Sequence, residues 1–304
     1  MNDPAAITAL EEDRLSHALR PRHVTMITIG GIIGAGLFVG SSVAILQVGP
    51  AVIFSYALTG LLVLLVMRSL GEMAVEMPKV RSFTEFTRVG LGDWAGFSVG
   101  WLYWYFWVIV VPVEAIAGAT ILQHWLPLPN WAIGTVLMAA MTCVNLMSAR
   151  SYGEFEFWFA SIKVAAIMVF IAIAAAYAFG ITSPSGPTFG NLVEHGGFAP
   201  FGIGAVLTGA IPVFFSMMGA EVVTIAAAES TEPAKSVARM VSTVVWRILA
   251  FYVGSITFIV SIVAWDSVKS GESPFTLALD HMKISLASTI MSVIILTAVL
   301  SCLN

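Results

Sequence analysis

Two apolar stretches of this chain carry backbone-loosening residues at their centres, where peptide groups of a helix can be freed to bind a ligand. The first is residues 29–38 (IGGIIGAGLF), and the second is residues 212–221 (PVFFSMMGAE). Hydrocarbon cannot satisfy free N–H and C=O groups, so a break inside a membrane helix persists only where it lines a cavity or contacts a ligand. One such break in each half of a chain indicates the binding site of a secondary transporter. The alternative is close packing of helices through small residues.

The partial charges at helix ends define what such a site can bind. The N-terminus of a half-helix carries partial positive charge and binds carboxylates, whereas freed carbonyl groups bind ammonium groups or cations. A zwitterion therefore fits between the two breaks. Gly34, Ser216 and Gly219 lie at the centres of the breaks and are candidate binding residues. Phe215 lies in the second break, where its ring can stack over a bound ligand as a gate.

Three ionisable residues lie inside apolar segments, where each costs roughly 2.5–3.5 kcal/mol on insertion scales and indicates a function. Lys163 lies in the fifth predicted span, and a desolvated lysine amine can give and take a proton near neutral pH. Glu114 follows Pro112, and Glu221 follows the second break. Either carboxyl group can accept a proton or a substrate ammonium group. The alternatives are snorkelling of the lysine to the membrane surface and neutral glutamic acids that are hydrogen-bonded inside the bundle.

Other charged residues are expected to have structural positions. Arg68 and Glu72 are spaced as i and i+4 and are predicted to pair on one helix face. Glu76, Glu154 and Glu156 are expected at the membrane interface. No cysteine or histidine spacing typical of a metal or redox site is present, so no metal and no cofactor other than a coupling proton is predicted.

The composition decides which elements position these residues. The chain is 58% hydrophobic and only 11% charged, whereas soluble domains carry roughly 25% charged residues. It is therefore predicted to be an all-α integral membrane protein, and its net charge of −4 gives no reason to expect a nucleic-acid partner. Eight stretches reach the roughly 20 apolar residues needed to cross a bilayer, at approximately 24–46, 51–74, 95–122, 131–149, 157–180, 203–228, 242–265 and 286–304. The last has no polar tail, so we expect the sequence to be C-terminally incomplete.

The distribution of basic residues predicts the orientation. Lysine and arginine residues precede the first span and lie between spans two and three, four and five, and six and seven. The loops at 123–130 and 181–202 contain neither residue, and only Lys269 and Lys283, between spans seven and eight, depart from this pattern. The positive-inside rule therefore predicts a cytoplasmic N-terminus. Within the loops, residues 82–88 are expected to form a short amphipathic helix on the cytoplasmic surface, and the Ser273-Pro274 helix-start signature predicts a short external helix.

Several of these segments together resemble a known family. They are GGIIGAGLFVGSS at 30–42, YGEFEFWFASIKV at 152–164, FSMMGAEVVTIAAAES at 215–230 and the closing SCLN. The chain is similar to the amino-acid transporter branch of the amino acid–polyamine–organocation superfamily and, within that branch, to the bacterial 4-aminobutyrate (GABA) permeases. The resemblance covers residues 20–304.

The resemblance implies a fold and a domain organisation. The fold is the leucine-transporter-like inverted repeat of five plus five helices, with discontinuous helices 1 and 6 and normally twelve spans. Residues 1–23 would be a cytoplasmic tail, residues 24–180 the first repeat, and residues 203–304 the start of the second. About eight of the twelve spans would then be present.

The resemblance also implies a function and site residues. It implies a proton-coupled permease that imports GABA or a similar small amino acid into the cell across the plasma (inner) membrane. The substrate carboxylate would meet the backbone at Ala35 and Gly36, and its amino group would meet carbonyl groups of Ile32, Phe215 and Met218. Lys163 matches a lysine implicated in proton coupling in some relatives. Several relatives carry a hydroxyl residue at the position of Ala35, so a side-chain contact to the carboxylate is absent here.

Other functions remain open at this stage. A permease of the same family with another substrate (proline, or a basic or aromatic amino acid) and a non-transporting amino acid sensor would share this core. A channel would more often show rings of like residues or a repeated filter segment, and a membrane enzyme would need a convergent catalytic set. Neither pattern is present, so the chain is not expected to be an enzyme. The sequence leaves the oligomeric state open.

Overall fold

The computed structural model describes residues 33–77, 80, 82–146, 149–219, 221, 248–284 and 286–303. Over these residues the chain is built from helices and turns, and no strand occurs in this part of the chain. The helices, numbered in chain order, are α1 Ala35–Phe38, α2 Ser41–Val48, α3 Val52–Glu76, α4 Phe83–Leu91, α5 Asp93–Leu122, α6 Asn130–Asn145, α7 Ala149–Ala178, α8 Asn191–Glu194, α9 Ala205–Met217, α10 Ser255–Ile262, α11 Pro274–His281 and α12 Ala287–Leu303. A π-helical segment, Ile248–Gly254, leads directly into α10.

Among the residues that the structure describes, three helical segments are long and apolar enough to cross a membrane. They are Ala35–Glu76, which comprises α1 to α3, together with Asp93–Leu122 and Glu156–Ala178. Shorter apolar helices at Ala205–Met217, Ala250–Ile262 and Ala287–Leu303 accompany them. These segments fall on predicted spans, which confirms the prediction of an apolar, all-helical architecture for the described residues. The number of eight spans and the inverted repeat remain predictions.

Helix α7 begins earlier than the hydropathy pattern predicts. The fifth span was placed at 157–180, but the helix runs from Ala149 to Ala178. Hydropathy marks where a helix becomes apolar, whereas the helix itself can begin among polar residues. Glu156 is therefore on the helix, and its side chain is buried with only 2% of the residue exposed. Glu156 was expected at the membrane interface; the structure shows it buried among the helices, and its depth in the membrane remains a prediction.

Two local predictions about short helices are confirmed. Helix α4 begins after Ser82, whose hydroxyl accepts a hydrogen bond from the Glu85 N–H at 3.3 Å. Phe86 is the buried residue of this helix, as its amphipathic pattern requires. Helix α11 begins at Pro274 with Ser273 as the preceding residue. The membrane surface that each of these helices faces remains a prediction.

Helices α9 and α12 hold the core together because each packs against several other helices. Helix α9 packs against α1, α2 and α3, and α12 packs against α1, α5 and α7. Gly209 lets α9 approach closely, since a Cβ at this position would collide with Val48 and lie 2.9 Å from the Ser55 Oγ. The Ser55 hydroxyl also donates to the Val206 carbonyl at 2.8 Å. Together, α9 and α12 bring both sequence breaks and α7 around one centre.

Candidate functional site

The two breaks meet in the structure. A Cβ added to Gly36 would lie 2.7 Å from the Ser216 Cα and 3.3 Å from the Phe215 Cδ1. Backbone therefore packs directly on backbone at this point, and only glycine permits the approach. Residues about 180 positions apart in sequence form one site, as the pairing of the breaks predicted.

The first break presents a backbone N–H to a buried carboxyl group. Gly34 is extended (φ −128°, ψ −160°), and α1 begins at Ala35. The Ala35 N–H donates to both carboxyl oxygens of Glu114, at 3.1 and 3.2 Å. Glu114 comes from α5 and is only 3% exposed. A carboxyl group thus occupies the helix start that was predicted to receive a substrate carboxylate.

Gly34 is a second position of close approach in this break. A Cβ at Gly34 would lie 2.6 Å from the Cys302 Sγ and 2.8 Å from the Glu114 Oε1. The packing explains why a side chain is absent here, since α5 and α12 both press against the break. Any motion of the first break therefore changes its contacts with Glu114 and with the end of α12.

The second break frees backbone groups that are also bound by side chains. Helix α9 ends at Met217, after which Met218 is extended (φ −65°, ψ 151°) and Gly219 has φ +100°. The Gly219 N–H donates to the Glu221 Oε2 at 2.9 Å. The Tyr103 hydroxyl donates to the Glu221 Oε1 at 3.2 Å. A backbone N–H of each break therefore donates to a glutamate carboxyl group. Glu114 lies on α5, and Glu221 binds Tyr103 of α5.

The carbonyl side of the second break is held by a tyrosine. The Tyr252 hydroxyl, from the π-helical segment, donates to the Ser216 carbonyl at 2.8 Å. The Ser216 hydroxyl donates to the Val213 carbonyl at 2.7 Å. Phe215 is half-buried, and its ring lies 6.1 Å from that of Phe106 on α5. The position of Phe215 between the breaks and α5 is compatible with the predicted gate.

Two hydroxyl groups of α3 lie close to the same centre. The Tyr56 ring lies 6.2 Å from the Tyr252 ring, and the buried Tyr56 hydroxyl is close to the Ser216 side chain. The hydroxyl of Thr59, one turn further along α3, is buried without a hydrogen-bond partner among the described residues. Buried polar groups are usually paired with protein, water or ligand. The Thr59 hydroxyl is therefore available to water or to a polar ligand.

Lys163 is buried completely and belongs to a separate polar cluster. Its Nζ donates to the Ser301 Oγ at 2.7 Å. Ser301 in turn donates to the Glu156 Oε1 at 2.6 Å, and the Lys163 Nζ lies 4.0 Å from that oxygen. With 0% exposure, the side chain does not snorkel to a membrane surface. Cys302 follows Ser301 and connects this cluster to the first break.

The structure brings together most of the predicted site residues, although it does not test their roles. Ile32 lies outside the described residues. The other predicted binding residues surround the contact between the breaks: Gly34, Ala35, Gly36, Phe215, Ser216, Met218 and Gly219. Glu114 and Glu221 bind the two breaks directly. Lys163 is instead connected to the first break through Ser301 and Cys302 of α12. The predicted pair of Arg68 and Glu72 forms at 3.0 Å on the surface.

Sequence reasoning did not identify Tyr103, Glu156, Tyr252 or Ser301 as residues of this site. Glu156 had a usable signal, because it precedes Lys163 by seven residues and seven residues make about two helical turns. Tyr103, Tyr252 and Ser301 had none, since their contacts depend on how separate helices pack. Within the described residues, no group of His, Cys, Asp and Glu is arranged to hold a metal ion.

Comparison with known proteins agrees with these observations. The sequence profile described as "Amino acid permease" matches residues 23–304. The chain is 49% identical over 292 residues to the gamma-aminobutyric acid permease of Bacillus subtilis (strain 168), with 95% of this chain and 62% of that protein covered. It is 47% identical over 296 residues to the gamma-aminobutyric acid permease of Escherichia coli (strain K12), with 95% and 63% covered.

A relative with a different substrate in its name also matches. The chain is 41% identical over 303 residues to an aromatic amino acid transport protein of Corynebacterium glutamicum, with 97% of this chain and 65% of that protein covered. The chain thus spans less than two thirds of the length of these relatives. They are transporters rather than enzymes. On the match over residues 23–304 and these identities, the chain belongs to the amino acid permease family.

Proposed function

We propose that the protein is a proton-coupled symporter that imports GABA or a similar small amino acid by alternating access around the two breaks. The observation that carries this proposal is the contact of Gly36 with Ser216, which places freed backbone groups of both breaks at one buried site. The names of the bacterial relatives at 47% and 49% identity support GABA as the substrate.

The site offers opposite groups to the two ends of a zwitterion. The N–H groups of Ala35 and Gly36 are at the start of a helix and suit the substrate carboxylate. The carbonyl groups of Phe215 and Met218, together with that of Ile32, suit the ammonium group. Phe215 then closes over the ligand.

Glu114 supplies a physical link between substrate binding and proton uptake. Its carboxyl group lies on the Ala35 N–H, so a substrate carboxylate that takes this N–H must displace it. An ionised carboxylate that has lost its hydrogen bonds in a buried site is costly, and a proton removes that cost. Substrate and proton are thereby favoured together, which is the requirement for symport. Glu221 occupies the corresponding N–H at Gly219, and Lys163 is the third proton-exchanging group.

The proposal also covers the fold of the protein and its orientation in the plasma membrane. The two breaks belong to inverted repeats of a leucine-transporter-like fold, and the protein lies in the plasma membrane with its N-terminus in the cytoplasm. The loops that lack lysine and arginine, at 123–130 and 181–202, then face outward, in keeping with the positive-inside rule.

The test uses the protein as its gene encodes it, in proteoliposomes. With an acidic exterior, labelled GABA is expected to accumulate inside, and a protonophore is expected to abolish the accumulation. A competition panel of proline, lysine, phenylalanine and alanine identifies the substrate class. Uptake that persists unchanged without a pH gradient or membrane potential would contradict symport. Binding of labelled substrate with no uptake would identify a sensor instead.

A further inference from the structure

A buried acid accompanies Lys163 on the same face of α7. Glu156 and Lys163 are seven residues apart, and about two helical turns place both on one side of the helix. Helical side chains lean toward the N-terminus, which directs the lysine back toward Glu156. Their side chains are 3% and 0% exposed. An acid and a base of this kind are rarely buried without a role for the pair.

Ser301 joins the two residues. The Lys163 Nζ and the Glu156 Oε1 are 4.0 Å apart, which is too far for a direct hydrogen bond. The Ser301 hydroxyl fills the gap, accepting from Lys163 at 2.7 Å and donating to Glu156 at 2.6 Å. The three groups therefore form an unbroken hydrogen-bonded chain from base to acid.

One oxygen of Glu156 has no partner in the described part of the chain. The Glu156 Oε2 is buried and makes no hydrogen bond there. An ionised carboxylate with an unsatisfied buried oxygen is costly. Transfer of a proton to Glu156 lowers this cost, since a neutral carboxyl oxygen loses less hydration on burial than a charged one.

We propose that Glu156 is the proton-exchange partner of Lys163, with Ser301 as the bridge between them. This inference rests on the proposed proton coupling and names the acid on which the proton is held. In the exchange, an Nζ–H bond of Lys163 breaks as a bond from that hydrogen to the Ser301 Oγ forms. The original Ser301 O–H breaks as its hydrogen bonds to the Glu156 Oε1. An ammonium and a carboxylate become an amine and a carboxylic acid, the hydroxyl is regenerated, and the net charge is unchanged.

The cluster is placed to sense the substrate site. Cys302 follows Ser301 on α12, and its Sγ packs against Gly34 of the first break. Glu114 on α5 and the Cys302 thiol face the cluster, and both are close enough to interact electrostatically with Lys163. Displacement of the first break therefore changes the surroundings of the lysine and the acid together.

The decisive experiment compares accumulation with exchange. The Glu156→Gln variant keeps the size of the side chain and an oxygen for the Ser301 hydroxyl, but it cannot take up a proton. We expect accumulation of labelled GABA driven by a pH gradient to fall about tenfold or more relative to exchange against internal unlabelled GABA. A merely structural role would lower both rates alike. A wild-type ratio of accumulation to exchange in this variant would overturn the proposal.

Ser301→Ala provides an independent variant if Glu156→Gln does not fold. Removal of the bridging hydroxyl is expected to lower the same ratio, and an unchanged ratio would overturn the proposal. Glu76→Gln, at an exposed position in α3, and Ser292→Ala, whose hydroxyl binds the Ser288 carbonyl within α12, are the matched controls and should keep the wild-type ratio. Absence of pH-driven accumulation in the unmodified protein would instead contradict the symport itself, so the two failures are distinguishable.

Discussion

Glu114 is the residue at which the structure adds most to the expectation from sequence. The sequence placed it inside a membrane span, but only the packing of α5 against the first break shows it on the Ala35 N–H at 3.1 and 3.2 Å. Glu156 shows the opposite outcome, since it was expected at the interface and is buried beside Lys163. In both cases the sequence showed a glutamate in or beside an apolar segment but did not show which group it binds. Hydrogen bonds between distant helices leave no local sequence pattern.

The first prediction concerns Glu114→Gln. The amide oxygen can still accept from the Ala35 N–H, so the first break should keep its geometry. The side chain can no longer take up a proton, and we expect the stimulation of uptake by an acidic exterior to fall about tenfold or more. The measurement is labelled GABA uptake with and without a pH gradient, with Glu76→Gln as the control. Stimulation equal to that of the unmodified protein would show that Glu114 does not couple substrate to protons.

At the scale of elements, the positions of the long apolar helices could be predicted from the sequence. The positions where helices are interrupted could be predicted only in part. Helices α3 and α5 lie where runs of about 20 apolar residues predicted them, since that length is what a membrane-crossing helix requires. Helix α4 was predictable from the amphipathic pattern of residues 82–88. The start of α7 was not, since its first residues are polar and hydropathy does not register them. The π-helical turn at Ile248–Gly254, which carries Tyr252 to the second break, has no sequence signature.

The second prediction tests the contact between the two breaks. In Gly36→Ala, the new Cβ would fall 2.7 Å from the Ser216 Cα, so one break must move. Because that neighbour is backbone and cannot rotate away, we expect the melting temperature in detergent to fall by several degrees and uptake to be lost. Overpacking of this kind typically costs about 1–3 kcal/mol.

Gly100→Ala is the matched control for this prediction. It replaces a helical glycine of α5 whose Cβ would meet nothing within 4 Å, and helix propensity favours alanine there by about 1 kcal/mol. This variant should be as stable as the unmodified protein or more so. Equal effects of the two substitutions would show that the breaks do not depend on close contact.

At the scale of the whole molecule, the central arrangement follows from a few close approaches. Gly36 and Gly209 let α9 reach α1, α2 and α3, and α12 packs against α1, α5 and α7. The two breaks and the lysine cluster are thereby brought together around α1. Sequence reasoning predicted the pairing of the breaks because both are visible as broken apolar runs. It did not place Lys163 relative to them, since that distance depends on α12.

The last prediction concerns how the whole molecule is oriented in the membrane. The excess of lysine and arginine in alternate loops predicts that residues 181–202 face the exterior and that α4 faces the cytoplasm. In a parent from which Cys143, Cys302 and any further cysteine of the protein as its gene encodes it have been removed, single cysteines are introduced as Ser185→Cys and Glu85→Cys, both at exposed positions. A membrane-impermeant maleimide added to intact cells should label the cysteine at 185 but not the one at 85, and permeabilised cells should show both. Labelling at 85 but not at 185 in intact cells would show that the topology is the reverse of the one predicted.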